Sequence, residues 1–487
     1  MEQCLMPKKH HYVLFSLLLF LVIFARFFFV LDRYPFVNAI DEPLLNQPAI
    51  SYHDGHSLMW APAPHAPYEN ELWFYHGPFY PRFQTFTFRM LGVSEFSSRL
   101  PQYLASSLAI LALSLVLICS DLPKTGVLLL IVWLGDRSSI EVLLARPEGI
   151  AFLALSGAFV VLVRRQSLPH WLVAFLAGLC TSLAAGFHPR ACVFVLGAFV
   201  FLAVDIGLSA FRRFIPFFVL GVAIPVSLIL WCAVPVSRAV PDIRAALTQL
   251  AWHAHLGKTS NFVHLREGFT GYRWSCPWVW AVGLATAAVT CAAFARRKPL
   301  HRVALAATCF AFCGLITFLT SLTMFPPYLV YLSVWPVIAV MAQIESGSPQ
   351  RRFYRVIAAV LLVAWFPSMG WNLLRTREAY KFHSALSTAH LAGELALTVP
   401  PEAPLMVSGD LYIAARSSVR KPFIVRQASS PSDWPCDAWL AVTTAAVVPW
   451  NVAQLPGRVV RVSNENLFPG YPYSPKLTIL TPCQNFH

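Results

Sequence analysis

Long apolar runs separated by short polar turns dominate the first 371 residues of the chain. A run of about 20 apolar residues is long enough to cross the ~30 Å hydrocarbon core of a membrane as a helix. Ten such runs lie near residues 12–31, 100–119, 147–163, 170–187, 191–210, 214–234, 277–295, 303–323, 329–344 and 354–371. A shorter run at 125–135, extended through 136–143, is the third in chain order. The pattern therefore predicts eleven transmembrane helices.

The composition is that of a membrane-spanning chain. Of the 487 residues, 57% are hydrophobic and only 12% are charged, whereas about 25% are charged in a typical soluble protein. The net charge of +14 is therefore typical of cytoplasmic loops and headgroup contacts and does not indicate nucleic-acid binding. The first run resembles a signal peptide, with "VNA" at 37–39 as its cleavage site. It is longer than a usual signal-peptide core, so we interpret it as an uncleaved anchor.

The basic residues predict the orientation of these helices. If the N-terminus is cytoplasmic, fourteen Lys and Arg residues fall in the inner segments and three fall in the short outer loops. Lys and Arg favour cytoplasmic loops, so this asymmetry predicts a cytoplasmic N-terminus. The long irregular segments 32–99, 235–276 and 372–487 then face outward. In a bacterium this is the periplasmic side of the inner membrane.

The tail predicts a second domain. Residues 372–487 contain one helical stretch, about 383–397, and five short apolar segments between Pro and Gly turns, a pattern typical of strands. These segments are "PLMVS", "PFIVR", "AWLAV", "GRVVRV" and "LTIL". We therefore divide the chain into a transmembrane domain at 1–371 and a small α/β domain at 372–487. Cys436 and Cys483 in the tail are candidates for a disulfide in an oxidising compartment, and two unpaired thiols are the alternative.

Charged residues gather near the outer ends of the predicted helices. Such side chains are costly at membrane depth and indicate functional sites by default. Asp41 and Glu42 follow the first helix, and Arg146 and Glu148 open the fourth. The other elements at this face are the aromatic segment 75–101, "GFHPR" at 186–190 and "MFPPYLVYLSVWP" at 324–336. They form one site only if the helices surround a single outer cavity.

The order of these motifs resembles the C-type membrane glycosyltransferases. "DE" after the first helix is followed by an aromatic H-x-P-x-Y segment and by "GVSEFSSRLP" entering the second helix. "ARPEG", "LAGLCTSLAAGFHPR" and "PPYLVYLSVWP" complete the series, so the resemblance covers roughly residues 12–345. The subgroup is that of the protein O-mannosyltransferases, which use dolichyl-phosphate-mannose, and the lipid A aminoarabinose transferases. One departure is His76-Gly77-Pro78, where the family often has Lys-Pro-Pro or His-Pro-Pro.

The resemblance implies a polytopic α-helical membrane fold that transfers a sugar on the outer face. The donor would be a sugar on a polyprenyl monophosphate, and the acceptor a hydroxyl or phosphate on a lipid, glycan or protein. Asp41, with Glu42 beside it, would be the base that takes the acceptor's proton, and direct displacement would invert the anomeric configuration. Cationic side chains would bind the lipid phosphate. The candidates are His76, Arg99, Lys258 and Arg266 for the phosphate, and Tyr80, Arg146, Glu148, His264 and Tyr328 for the substrate cavity.

No metal or other cofactor is required by this scheme. His253, His255 and His264 nevertheless keep a bound divalent ion open as an alternative. The expected partners are the lipid-linked sugar, its acceptor and the bilayer, without nucleic acid. The residues specify neither the sugar nor the acceptor.

Several site residues also have a structural interpretation. Asp41 and Glu42 could instead cap a short interfacial helix, because acidic residues favour the first turn. Arg99 could be an interfacial anchor, and Arg146 and Glu148 could pair only with each other. His188 and Arg190 are interpreted as headgroup-facing or structural residues. Arg26 is interpreted as a residue that snorkels to the outer surface, with a lipid-phosphate contact as the alternative.

Two other functions compete with glycosyl transfer. A transporter or lipid flippase usually has internal repeats and charges near the membrane midplane, whereas here the polar residues gather at one face and no convincing repeat is found. A catalytically silent scaffold is the third hypothesis, and the intact Asp41–Glu42 pair argues against it. The pattern therefore favours an enzyme that works at the membrane surface.

Overall fold

The computed structural model of the protein describes residues 6–33, 42–55, 79–232, 276–294, 301–319, 326–382, 387–407, 411–418, 422–424, 438–443, 458–466 and 476–483. Most of these residues are helical. The helices are α1 (Met6–Phe28), α2 (Glu42–His53), α3 (Phe79–Leu91), α4 (Glu95–Cys119), α5 (Pro123–Gly135), α6 (Ser138–Glu141), α7 (Glu148–Val163), α8 (His170–Phe187), α9 (Val193–Ile206), α10 (Leu208–Phe211), α11 (Ile215–Cys232), α12 (Cys276–Phe294), α13 (Arg302–Leu319), α14 (Val330–Glu345), α15 (Arg351–Lys381), α16 (Thr388–Thr398) and α17 (Tyr412–Ser418).

Eleven apolar helices in the described ranges correspond one to one with the eleven predicted runs. Six segments are long and apolar enough to cross a membrane: Lys9–Phe28, Glu95–Cys119, His170–Phe187, Pro189–Ile206, Arg302–Leu319 and Arg351–Lys381. The shorter apolar helices are α5, α7, α11, α12 and α14. The predicted polytopic α-helical fold is therefore confirmed.

The third run does not continue through 136–143 as predicted. Helix α5 ends at Gly135, because Asp136 Oδ1 accepts hydrogen bonds from the backbone N and the hydroxyl of Ser138, both at 2.8 Å. This side-chain turn competes with helix continuation. Asn372 Nδ2 of α15 donates to the Asp136 carbonyl at 2.7 Å, so a neighbouring helix satisfies a backbone group that the end of α5 leaves open.

An aromatic cluster packs three helices together at the centre of the bundle. Trp335 of α14 is completely buried. Its ring centroid lies 5.4 Å from Phe159 and 5.9 Å from Phe152, both of α7, and 5.0 Å from Phe310 of α13. Side chains on the outside of the bundle are also apolar, as with Val363, which is 71% exposed. An apolar exterior of this kind is what a helix bundle presents to lipid.

Ion pairs and caps tie the helices together at the lower end of the bundle, which we define as the end where α1 begins. Lys9 Nζ of α1 lies 2.6 Å from Asp121 Oδ1, in the turn after α4. Glu345, the last residue of α14, accepts hydrogen bonds from the backbone N atoms of Lys124 and Thr125 at 3.0 and 2.8 Å. A carboxylate from another helix therefore caps the first turn of α5, where acidic groups are favoured.

Arg26, for which the sequence predicted snorkelling to the outer surface, is partly buried and hydrogen-bonded to two neighbouring helices. Its guanidinium donates to the Thr376 hydroxyl at 2.8 Å and to the carbonyls of Leu134 and Asn372 at 2.7 and 3.0 Å. These acceptors belong to α5 and α15, so they provide the polar partners that a charge needs at this depth. Arg26 therefore joins three helices at the upper end of the bundle, which we define as the end where α1 stops.

The tail contains a mixed five-stranded sheet. Its strands are β1 (Leu405–Val407), β2 (Pro422–Ile424), β3 (Trp439–Thr443), β4 (Arg458–Asn466) and β5 (Lys476–Cys483), in the spatial order β2-β1-β3-β5-β4. Strand β1 pairs in parallel with β2 and β3, and β5 pairs antiparallel with β3 and β4. All five predicted strands and the predicted helix, here α16, are present, so the small α/β unit is confirmed.

The α/β unit shares an apolar cluster with the upper end of the bundle. Buried side chains of α1 and α2, such as Phe27 and Ile50, belong to the same cluster as Leu391, Leu405 and Tyr412 of the tail. Helix α15 also runs without interruption to Lys381, past the domain boundary predicted at 371. The tail is therefore packed against α2 and the end of α1.

Candidate functional site

The first turns of α4 and α7 meet at the upper end of the bundle. Gly149 in α7 lies so close to α4 that a Cβ at this position would be 2.8 Å from the carbonyl oxygen of Gln102. Real Cβ contacts are longer than this, so only glycine permits the approach. The residues just before Gly149, which carry the "ARPEG" motif, are therefore held against α4.

Arg146 and Glu148 of this motif form a buried ion pair. Arg146 Nη2 lies 2.8 Å from Glu148 Oε1, and Arg146 Nε lies 3.1 and 3.3 Å from the two carboxylate oxygens. The two residues are only 2% and 1% exposed. Burial of a charge is costly unless it is paired and hydrogen-bonded, and each residue supplies that partner to the other. The pairing that the sequence allowed is therefore present.

His188 connects this ion pair to α14. It follows the last residue of α8 in an extended conformation, with φ of −138°, and is 1% exposed. Its Nδ1 shares a hydrogen bond of 3.0 Å with the Tyr331 hydroxyl, and the two rings stack at 5.5 Å. Its Nε2 lies 3.9 Å from Glu148 Oε1. The imidazole therefore bridges a phenol and a carboxylate.

Two guanidinium groups lie over one tyrosine ring in the same region. The Cζ atoms of Arg146 and Arg190 are 5.9 and 5.1 Å from the ring centroid of Tyr328, within the range of cation–π attraction. The His188 ring centroid is 5.2 Å from the same ring. We refer to the whole set as the upper cluster. Its members are Arg146, Glu148, His188, Arg190, Tyr328 and Tyr331.

Tyr80 and Gln102 lie beside the upper cluster. Tyr80 of α3 is completely buried and groups with Ala105 of α4 and Ile150 of α7. Gln102 is also completely buried, and neither atom of its side-chain amide has a hydrogen-bond partner among the described residues. Leaving such a group unsatisfied costs about 1–3 kcal/mol. A buried polar group without a partner calls for an explanation. A polar ligand that binds beside the upper cluster would supply hydrogen-bond partners to the Gln102 amide.

Arg99 occupies a different part of the upper end. Its Nη2 lies 3.2 Å from Glu95 Oε2, and its Nη1 donates to the carbonyls of Leu31, at 3.1 Å, and of Arg33. The side chain is buried and fastens the first turn of α4 to the residues that follow α1. The phosphate-binding role of Arg99 stays a prediction.

Known proteins are similar to this chain in structure, whereas comparisons of the sequence find no match. No protein-family model matches the sequence, and no curated protein matches it. The fold is similar to that of ArnT from Cupriavidus metallidurans bound to undecaprenyl phosphate, with a TM-score of 0.56 over 95% of this chain and 97% of that chain at 15% identity. Its apo state gives the same TM-score at 14% identity, over 96% and 98% of the two chains.

A second similar structure is the archaeal oligosaccharyltransferase AglB from Archaeoglobus fulgidus, in complex with an inhibitory peptide and a dolichol-phosphate. Here the TM-score is 0.51 at 12% identity, over 88% of this chain and 69% of that chain. The chain has the C-type glycosyltransferase fold. The fold implied by the sequence resemblance is thereby confirmed.

Several predicted site residues of this fold lie outside the described ranges. These are Asp41, His76, Lys258, His264 and Arg266, together with the histidines at 253 and 255 and Cys436. Glu42 is the first residue of α2, and its side chain and that of Cys483 are not described. Within the described ranges, no three His, Cys, Asp or Glu side chains group as metal ligands would.

The sequence assigned no substrate contact to three members of the upper cluster. His188 and Arg190 of "GFHPR" were interpreted as headgroup-facing or structural, and Tyr331 was not singled out. His188 is buried in the cluster, so the headgroup-facing interpretation is wrong for this residue. One signal was available for Tyr331: it follows Tyr328 at a spacing of three, which places both side chains on one face of a helical turn.

Proposed function

We propose that the protein is an integral-membrane glycosyltransferase. It moves a sugar from a polyprenyl-phosphate donor to a hydroxyl or phosphate of a lipid, glycan or protein acceptor. The observation that carries this proposal is the fold shared with ArnT bound to undecaprenyl phosphate, over 95% of this chain. AglB, which was studied with a dolichol-phosphate, supports a lipid-phosphate ligand from a second, more distant neighbour.

In the proposed reaction Asp41 is the base. Its carboxylate takes the proton of the acceptor hydroxyl as the acceptor oxygen attacks the anomeric carbon. The bond from that carbon to the phosphate oxygen breaks, and the polyprenyl phosphate leaves with the bonding electrons. A single displacement of this kind inverts the anomeric configuration. Glu42, which opens α2, lies next to the base in the chain.

The upper cluster supports an anionic substrate. Its described members include two guanidinium groups, those of Arg146 and Arg190, and one carboxylate, that of Glu148. Positive charge that is fixed before the reaction stabilises a leaving phosphate without further reorganisation. We therefore assign Arg146, Glu148, Tyr328 and Tyr80 to the wall of the substrate cavity. His76, Arg99, Lys258, Arg266 and His264 are proposed to complete the donor site.

The proposed compartment follows from the charge asymmetry of the sequence. Fourteen Lys and Arg residues fall in the predicted inner segments and three in the short outer loops, and Lys and Arg favour the cytoplasmic side. The reaction would therefore take place on the periplasmic face of a bacterial inner membrane, with the N-terminus in the cytoplasm. The donor could then diffuse in the bilayer while its phosphate stays at the surface.

Purified protein in nanodiscs tests the proposal. The donors are synthetic undecaprenyl phosphates carrying glucose, mannose, galactose or an aminopentose, and membranes from a strain lacking the protein supply the acceptor. We expect wild-type protein to transfer one of these sugars. Asp41→Asn should still bind undecaprenyl phosphate but lose transfer by on the order of 10²-fold or more, which is the usual contribution of a general base.

The matched control is Asp121→Asn at the lower end. Asp121 has φ of 63°, a conformation that asparagine tolerates well, so this variant should keep normal transfer. Near-normal transfer by Asp41→Asn would disprove the base assignment. If wild-type protein moved solute across proteoliposomes and formed no glycosylated product, the enzyme proposal itself would be wrong.

A further inference from the structure

A two-armed ion pair links α2 to the α/β unit. Asp54 follows directly after the last residue of α2, and Arg416 lies on α17 of the tail. Arg416 Nη1 is 2.5 Å from Asp54 Oδ2, and Arg416 Nη2 is 2.6 Å from Asp54 Oδ1. His53 Nδ1 lies 3.0 Å from the same Oδ1. The two partners are separated by 362 residues in the chain, so the contact depends on how the tail docks.

Helix α3 packs against the body of α2. Gln84 Nε2 donates to the side-chain oxygen of Asn46, and the Thr85 hydroxyl donates to the Ala49 carbonyl at 2.9 Å. Asn46, Gln84 and Thr85 are all buried. The body of α2 therefore packs against α3, and the ion pair with Arg416 of the tail fixes the C-terminal end of α2.

The tail also contacts the chain just before α2. Arg33 forms an isolated antiparallel bridge with Ser387, the N-cap residue of α16. The hydroxyl of Tyr380, near the end of α15, donates to the Arg26 carbonyl at 2.9 Å. Arg33 directly precedes segment 34–41 of the chain, and α2 begins directly after that segment. The tail therefore holds the chain on both sides of the segment whose last residue is Asp41.

We infer that the α/β unit positions α2, which begins directly after the proposed base in the chain, and that Asp54 and Arg416 are positioning residues for the transfer reaction. This inference rests on the proposed function, in which Asp41 is the base. The contacts with Arg33 and Arg416 fix the two flanks of segment 34–41 relative to the bundle. They act on the reaction through the placement of α2 and make no contact with substrate.

The exposure of the Asp54–Arg416 ion pair indicates that it orients α2 and contributes little to the stability of the fold. Both side chains are 30% exposed, and ion pairs that solvent reaches contribute little to the free energy of unfolding. A guanidinium that holds a carboxylate with two parallel hydrogen bonds nevertheless fixes direction as well as distance. Catalysis is sensitive to this, because a displacement of about 1 Å can cost on the order of 10²-fold in rate.

Charge reversal tests the inference. The variants are Asp54→Asn, Arg416→Gln and the exchanged double variant Asp54→Arg with Arg416→Asp, measured with whichever undecaprenyl phosphate sugar the wild type uses. We expect each single variant to lower kcat by on the order of tenfold or more, with KM for the donor unchanged. The exchanged variant should recover most of kcat. Lys9→Gln, which removes an exposed ion pair at the lower end, is the control and should leave kcat unchanged.

Deuterium exchange provides a readout that does not need activity. Peptides from residues 42–55 should exchange faster in Arg416→Gln than in wild type, and the exchanged variant should restore slow exchange. A kcat of Arg416→Gln within twofold of wild type, or no recovery on charge exchange, would overturn the inference. If the wild type transfers no sugar, the proposed function is wrong. Deuterium exchange still tests the contact in that case, because unchanged exchange in Arg416→Gln would show that the tail does not fix α2.

Discussion

Replacing Gly314 by alanine adds one methyl group where α13 crosses α14. A Cβ at Gly314 would lie 1.9 Å from the carbonyl oxygen of Tyr331, 2.8 Å from its carbonyl carbon and 3.1 Å from Leu332 Cα. All three atoms belong to the backbone of α14, so no side-chain rotation relieves the contact. The two helices must move apart.

The size of that movement follows from the distances. Real Cβ contacts are essentially never under 3.0 Å, so the shortest distance must grow from 1.9 Å by about 1.1 Å. Overpacking of this kind costs typically about 1–3 kcal/mol. Tyr331 is the residue that is pushed, and its hydroxyl shares the 3.0 Å hydrogen bond with His188. A shift of about 1 Å in its backbone is enough to break a hydrogen bond and to loosen the upper cluster.

We expect Gly314→Ala to lower the midpoint of thermal unfolding by on the order of a few degrees. Sugar transfer measured well below that midpoint should fall by on the order of tenfold to 10²-fold, because the site is misaligned by about 1 Å. The midpoint can be followed by tryptophan fluorescence or by size-exclusion chromatography of heated, detergent-solubilised protein.

Two other glycines supply matched controls. Among the described residues, no atom lies within 4 Å of the Cβ position that alanine would add at Gly283 of α12 or Gly370 of α15, and alanine has a higher helix propensity than glycine. Gly283→Ala and Gly370→Ala should therefore keep the wild-type midpoint or raise it slightly. The close-packing explanation would be refuted if Gly314→Ala behaved in the same way as these two variants.

Two further predictions concern charged contacts away from the upper cluster. Glu345→Gln should lower stability by about 1 kcal/mol, because the carboxylate that caps Lys124 and Thr125 becomes neutral; an unfolding midpoint equal to that of wild type would contradict the cap. The hydrogen bonds from Arg416 lower the pKa of Asp54 from its ordinary value of 3.8. The ion pair therefore contributes stability that is complete above about pH 4 and is lost as the pH falls through the lowered pKa. Relative to the exchange rate of an unstructured peptide at the same pH, deuterium exchange of residues 42–55 should accelerate below about pH 4 in wild type, and the Asp54→Asn variant should exchange fast already at neutral pH.

The sequence predicted the apolar helices and the strands of the tail correctly, because each depends on the local pattern of apolar residues. Every apolar run became a helix, because a chain in lipid must satisfy its backbone hydrogen bonds within the segment. The strands of the tail were equally readable from short apolar segments between Pro and Gly. The extension of the third helix failed at Asp136, because its side chain closes a local turn by accepting hydrogen bonds from Ser138. The hydrogen bond from Asn372 to the Asp136 carbonyl depends on the tertiary structure.

The candidate site was only partly visible in the sequence. Arg146 and Glu148 stood out, because two charges next to an apolar run are costly without a function or a partner. His188 did not, because its role depends on Tyr331, which lies 143 residues further along the chain. The partners of Arg26 were not predicted for the same reason: its three acceptors come from α5 and α15.

The sequence by itself determined the class of protein, the number of apolar helices, the α/β tail and the motifs that resemble a glycosyltransferase. Each of these follows from local properties, namely hydropathy, charge and the spacing of neighbouring residues. Only the tertiary structure decided which charges meet. It placed Arg146, Glu148 and His188 together, and it brought Arg416 of the tail to Asp54 at the end of α2. Pairing between distant segments is set by how the helices pack, and no local pattern encodes it.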